Sequence, residues 1–324
     1  MKVRRSLALA LVVSMMAPLA GDAQPTDFVR RIGFLAGTSR FPEIDGFQEG
    51  LREHGHVEGR NLLIEWQFAD GRDDRLPGLA SELAARKVEV IVAFPTSAAL
   101  AAKKVTATIP IVFAAVAEPV ASGLVATLAR PSGNATGFTN IAVDLTGKRL
   151  ELFKEAAPSL KSVVILTDPA NPASALTLDE AQVAARRLGL KARLVEVRHP
   201  NELEPAFTAI ARDVGAGVVL VPGPFLFAHR IQIGELATRS GLPVLGWVRA
   251  VAESGALISY GANLPDMLRR AAGHVDKILK GTKPADLPIE QPTKFELVIN
   301  MKTAKTLGLT IPQSVLLRAD LVVE

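Results

Sequence analysis

The chain has 324 residues, a formal net charge of +4 and no cysteine, so disulfides, thiolate metal sites and a lipid-modified cysteine are all excluded. It is too long for one small hydrophobic core, and two domains are expected. Lys and Arg are interspersed with Asp and Glu rather than clustered, which argues against a nucleic-acid partner.

The first residues carry Lys2, Arg4 and Arg5, then an apolar run over 7–17, then the small residues Ala20, Gly21 and Ala23. This order is that of a secretory signal peptide, with a cut expected after Ala23 and a cut after Ala20 as the competitor. The run is too short for a spanning helix, which needs about 20 apolar residues. The expectation is export to a bacterial periplasm as a protein without a lipid anchor, with residues 1–23 as the leader.

Strand-like apolar runs then alternate with helix-like segments. The runs fall at 32–36, 62–68, 88–94, 109–116, 163–167, 192–197, 218–222, 244–248 and 257–260. Most are continuously apolar, as strands are when helices cover both faces of a parallel sheet. Between them, Ile44, Phe47 and Leu51, then Leu76, Leu79 and Leu83, then Leu203, Phe207 and Ile210 stand at helical spacing. The longest such stripe runs Leu264, Met267, Leu268, Ala271, Val275 and Ile278, with Gly281 as its stop. A further helix is read over 145–156, and the tail carries a strand-like run at 295–299 and a short helix at 302–307.

This pattern predicts two doubly wound α/β lobes. The turn-rich stretch 130–140 (RPSGNATGFTN) is read as the first crossing between them and 259–263 as a second. One lobe is then expected over 30–140 plus 262–282, and the other over 141–261 plus 283–324.

Catalytic signatures are missing. No Gly-x-Gly-x-x-Gly follows a strand, no Walker loop is present, and no Gly-x-Ser-x-Gly elbow offers a nucleophile. His54 and His56 are close together in a Gly-flanked turn, too few ligands for an ordinary metal site. An enzyme is therefore not expected, nor a metal or cofactor.

The strand ends carry small neutral hydrogen-bonding groups instead. Thr38 and Ser39 follow the first run, Thr96 and Ser97 the third, and Asn171 and Ser174 the first run of the second lobe. Ligands of open α/β sheets bind beyond the carboxyl ends of the strands. Thr96, Ser97 and the segment ending at Ser174 also stand at helix starts, where backbone N–H groups and the helix dipole favour a carboxylate. N-capping explains each of these residues singly, and the two roles are compatible. Phe225, Trp247 and Tyr260 are aromatics near strand ends, suited to stacking on a flat ligand or to packing.

The chain resembles the substrate-binding proteins of ABC transporters, in the branch that includes tryptophan-binding components. The resemblance runs through nearly all of the chain after the leader. It is carried by Ile32-Gly33-Phe34-Leu35, by Phe47-Gln48-Glu49-Gly50-Leu51, and by Pro119-Val120-Ala121-Ser122-Gly123-Leu124. Most specific are Arg130-Pro131-Ser132-Gly133-Asn134-Ala135-Thr136-Gly137 and Asn300-Met301-Lys302-Thr303-Ala304-Lys305. The resemblance implies the type I periplasmic-binding fold: two Rossmann-like lobes joined by a hinge, with a ligand cleft between them that closes by hinge motion. It also implies a small amino-acid-like or aromatic carboxylate as ligand and ABC permease subunits at the inner membrane as partners, the protein itself being a monomer. Carried over by position, the ligand-binding candidates are Thr38, Ser39, Thr96, Ser97, Asn140, Asn171, Ser174 and Tyr260, with Phe225 added as an aromatic. Glu118 stands where relatives often have Asp, and is the candidate partner for an ammonium group. A sensor that presents its bound lobe to a membrane kinase or receptor is the alternative role for the same fold.

Overall fold

The computed structural model describes residues 29–171 and 174–324. The leader assigned to residues 1–23 lies outside these residues.

The first lobe alternates strand and helix: β1 (Arg30–Ala36), α1 (Ile44–Glu53), β2 (Leu62–Phe68), α2 (Leu76–Ala85), β3 (Val90–Phe94), α3 (Thr96–Val105), β4 (Ile111–Val116) and β5 (Ala135–Thr139). These strands form one sheet in the order β2-β1-β3-β4-β5, parallel throughout. Every residue of β3, β4 and β5 is buried, because helices cover both faces.

The chain then enters the second lobe through α4 (Thr146–Ala156), β6 (Ser162–Thr167), α5 (Ser174–Arg187), β7 (Lys191–Glu196), α6 (Leu203–Ile210), β8 (Ala216–Leu220), α7 (Pro224–Ala228), α8 (Arg230–Arg239), β9 (Val244–Gly246), α9 (Arg249–Glu253) and β10 (Ile258–Ala262). It crosses back for α10 (Leu264–Leu279) and returns for β11 (Phe295–Asn300), α11 (Met301–Thr306), α12 (Gln313–Leu316) and β12 (Leu321–Val323). The second sheet has the order β12-β11-β10-β9-β8-β6-β7, and its one antiparallel pair is β10 with β11.

The stretch 130–140, expected to be a linker, holds β5. Its strand is hidden in the sequence because it is short, and because Thr136, Gly137 and Thr139 break the apolar run. Thr136 Oγ1 is nevertheless buried and donates to the Leu287 carbonyl at 2.8 Å. Gly137 (φ +146°) lies so close to Phe113 that a Cβ would overlap its backbone.

α10 belongs structurally with the first lobe. Gly46 and Gly50 on α1 let the two helix backbones touch: a Cβ on Gly46 would lie 2.5 Å from the Pro265 carbonyl oxygen, and one on Gly50 would overlap that of Arg269. The HGHVEG turn is tied to the same helix, with His56 Nε2 3.0 Å from Asp276 Oδ1. The last crossing comes later than residue 282. Glu290 still pairs with β5, its N–H donating to Gly137 O at 2.9 Å and its carbonyl accepting from Thr139 N at 3.0 Å. Only beyond Glu290 does the chain join the second sheet.

Three strands of chain therefore link the lobes. Asn140 stiffens the first: its Nδ2 donates to Ala115 O at 3.1 Å and its Oδ1 accepts from Ala142 N at 3.1 Å. Asn263 fixes the other two, capping α10 through Asp266 N at 2.7 Å and donating to Glu296 Oε1 at 2.7 Å.

Candidate functional site

The carboxyl ends of the two sheets face each other across a cavity, where ligands of open α/β sheets bind. The first lobe contributes Thr38, Phe94, Pro95, Thr96, Ala115 and Ala117, and the second contributes Asn171, Pro222, Gly223, Pro224, Phe227, Trp247 and Val248. Asn140, Arg149, Ala262, Leu264 and Met267 close it on the side of the crossings.

The lobes are shut around this space. The Phe41 ring of the first lobe meets the Phe227 ring of the second edge-on at 5.6 Å. Gly37 lies so near α7 that a Cβ would stand 3.1 Å from Pro224 Cβ.

Four of the residues expected at the site line the cavity: Thr38, Thr96, Asn140 and Asn171. Thr96 Oγ1 accepts from Ala117 N at 3.2 Å, which leaves its proton for another acceptor. Thr38 Oγ1 donates to Ser39 O at 3.0 Å. Asn171 Nδ2 holds the Pro222 carbonyl at 2.7 Å and so shapes the wall of the second lobe.

The other six lie outside the lining, each for a local reason. Ser39 is exposed. Ser97 Oγ turns to Asp73 Oδ1 at 3.0 Å, and Ser174 Oγ to Asp168 O at 3.0 Å. Phe225 packs on His229 with centroids 4.5 Å apart, leaving Phe227, two residues on, as the ring that lines the cavity. Tyr260 stacks on Phe295 at 6.3 Å. Glu118 is half-buried, its pKa raised by desolvation and then by Asp144, and it does not reach the lining.

The residue that sequence reasoning missed is Arg149. It is 5% exposed, and among the described residues no carboxylate pairs with it. Its Nε donates to Tyr260 O at 2.7 Å and its Nη1 to Ala142 O at 2.9 Å, so backbone carbonyls beside two different crossings aim the guanidinium. Burial lowers its pKa to about 10, which still leaves it charged at neutral pH. Arginine at a helical position beside Lys148 reads in sequence as a solvated charge, and nothing local announces its burial.

A sequence model of the ABC transporter substrate binding proteins matches residues 29–323. The chain belongs to this family. The family consists of binding proteins and not enzymes, and the fold is the type I periplasmic-binding fold. A curated relative, the "Tyrosine-binding protein" of Clostridioides difficile (strain R20291), is 26% identical over 274 residues, which is 83% of this chain and 78% of that protein. The crystal structure of an ABC domain in complex with L-Trp from Streptococcus pneumonia is 27% identical, with a TM-score of 0.83 over 91% of this chain and 100% of that one. A substrate-binding protein with adhesive properties from Clostridium difficile, described as ligand-free and open, is 26% identical and covers 91% of this chain and 99% of its own, but its TM-score falls to 0.64. At nearly equal identity this substrate-binding protein superposes better on the ligand-bound relative than on the open one. That agrees with the Phe41–Phe227 contact and with closed lobes.

Proposed function

We propose that the protein is the periplasmic solute-capturing component of an ABC importer, and that its ligand is a small carboxylate with an aromatic or similarly flat body. The observation that carries this reading is Arg149. A buried cation without an anionic partner is costly unless something supplies the counter-charge, and a ligand carboxylate in the cavity would do so. Phe94, Phe227 and Trp247 supply apolar ring surface around the rest of such a molecule. The relatives that bind tyrosine and L-Trp support a ligand of this size and shape. On this reading, closure around the ligand makes the surface that ABC permease subunits accept at the inner membrane, and the protein travels there as a monomer after its leader is removed.

A thermal-shift screen of residues 24–324 against aromatic acids, amino acids, sugars and short peptides tests the proposal. A ligand at 100 times its Kd adds about 2.7 kcal/mol of stability. A shift confined to carboxylates supports it. Shifts with neutral sugars, and none with any carboxylate, would overturn it.

A further inference from the structure

We propose that the cavity prefers an aromatic carboxylate lacking an α-ammonium group, of the arylpropionate type, over the matching amino acid. The inference rests on the reading that this cavity holds the ligand and that Arg149 takes its carboxylate.

The charge inventory of the walls is one-sided. Arg149 is the single ionised group among the described lining residues, and none of them is Asp or Glu. An acid ligand entering as a monoanion cancels that charge. A zwitterion adds no net charge: its carboxylate can pair with Arg149, but its own ammonium is left desolvated in the same enclosure, near a guanidinium. It then needs acceptors, and the lining offers only neutral ones, two of them already sharing their oxygen with a backbone N–H. Asn140 Oδ1 accepts from Ala142 N, and Thr96 Oγ1 accepts from Ala117 N. Arg149 offers only donors, and Thr96 a hydroxyl proton and one neutral lone pair. Thr38, whose proton goes to Ser39 O, presents a neutral oxygen. That suits an indole N–H or a phenol O–H better than a full positive charge.

Acids near the lining are directed elsewhere: Asp266, beside Met267, receives Lys294 Nζ at 2.8 Å. Asp168 Oδ1 accepts from Ala170 N at 2.9 Å. Glu118, the expected ammonium partner, lies by Asp144 outside the cavity. Asp73 Oδ1 receives the Ser97 hydroxyl, and its Oδ2 is buried without a partner. Of these acids Asp73 is the one with a buried oxygen lacking a partner, and the test includes it.

Isothermal titration of the mature chain at pH 7.5 with two matched pairs decides the matter: indole-3-propionate against L-tryptophan, and 3-(4-hydroxyphenyl)propionate against L-tyrosine. Within each pair the skeleton is the same and only the ammonium group differs. The expected result is at least tenfold tighter binding of the acid in one pair, with Arg149→Met abolishing that binding while the circular dichroism of the free protein is kept. Equal or tighter binding of the amino acid overturns the inference but leaves the proposed carboxylate function standing. Loss of that amino-acid binding in Asp73→Asn would then locate the ammonium at Asp73. If neither member of either pair binds, while other classes do, the functional reading falls together with the inference.

Discussion

Arg149 Nε donates to the backbone oxygen of Tyr260 at 2.7 Å, joining the first turn of α4 to the last strand before the chain crosses back to the first lobe. The same guanidinium holds Ala142 O at 2.9 Å, so one side chain braces two of the links between lobes and faces the cavity. Arg149→Met leaves both carbonyls without this donor; Ala142 O keeps the Thr146 hydroxyl at 3.1 Å, so the cost of about 1–3 kcal/mol for a buried unsatisfied group falls on Tyr260 O. On the proposed reading it also removes the cation that pairs with the ligand carboxylate. Loss of one partner in a buried charged pair costs roughly 2–5 kcal/mol of affinity. Denaturant unfolding and titration calorimetry of the same variant should show both effects. Arg149→Lys should restore little, since an ammonium lacks the planar fork that reaches two carbonyls and a ligand at once.

The Phe41–Phe227 contact separates closure from ligand contact, because Phe227 lines the cavity and Phe41 does not. Phe41→Leu keeps the position apolar and removes the inter-lobe ring pair, worth about 0.5–1.5 kcal/mol, together with the Phe41–Phe94 contact at 4.9 Å within the first lobe. Affinity is expected to fall roughly 2- to 10-fold, through faster dissociation. Small-angle scattering of the ligand-free variant should show a larger radius of gyration than the parent protein. An unchanged radius with unchanged affinity would mean that this contact does not hold the lobes together.

Asp73, which faces Asp168 of the other lobe, is expected to make closure pH-dependent. Its pKa is raised to about 6, first by burial and further by the negative charges of Asp168 on the other lobe and of Asp74, with the Ser97 hydroxyl opposing. A carboxyl whose pKa is higher in the closed form binds its proton more tightly there, so protonation favours closure. The contribution is complete below the ordinary carboxylate range near 4 and is lost as pH rises through about 6. Ligand affinity should therefore weaken between about pH 4 and pH 7 and then level off, by at most roughly 100-fold if opening restores the ordinary value. Asp73→Asn should flatten this profile and tighten binding at pH 7. A profile that keeps its slope in the variant would assign the titration to another group.

How much of this was legible in the sequence follows from what each feature depends on. Continuous apolar runs announced β1, β3 and β4, because a strand buried on both faces has no polar side to show. β5 was missed because its partners, and not its composition, make it a strand: Gly137 is needed for the approach to Phe113, and Thr136 is satisfied by Leu287, far along the chain. Thr38, Thr96, Asn140 and Asn171 were legible as cavity residues because strand ends in this fold point into the cleft. Ser97 and Ser174 share that local signature, yet their hydroxyls turn to Asp73 and to a backbone carbonyl. Arg149 left no trace, because its burial is created by the Tyr260 and Ala142 carbonyls brought together only when the chain crosses between lobes.

The docking of α10 on α1 gives the sharpest stability prediction. The stripe on α10 buries Met267, Leu268, Ala271 and Val275 against the first lobe, and α1 answers with Phe47 and Leu51. The helices can meet this closely only because Gly46 and Gly50 present bare backbone to Pro265 and Arg269. Both glycines lie within a helix, where Ala has the better intrinsic propensity by about 1 kcal/mol. Propensity alone therefore predicts that Gly50→Ala stabilises the protein. Packing predicts the opposite: the added methyl group would overlap the Arg269 carbonyl and meet Ala272 Cβ at 2.9 Å, forcing α10 outward. Overpacking of this kind costs roughly 1–3 kcal/mol and occasionally more, so packing wins. Gly78, an α2 glycine with open space where its Cβ would stand, is the control. Thermal unfolding should show Gly50→Ala well below the parent protein and Gly78→Ala at or slightly above it. A Gly50→Ala variant as stable as the parent would mean that α10 can shift without cost. Its hold on the last crossing, through Asn263 and Glu296, would then be looser than the close packing against α1 implies.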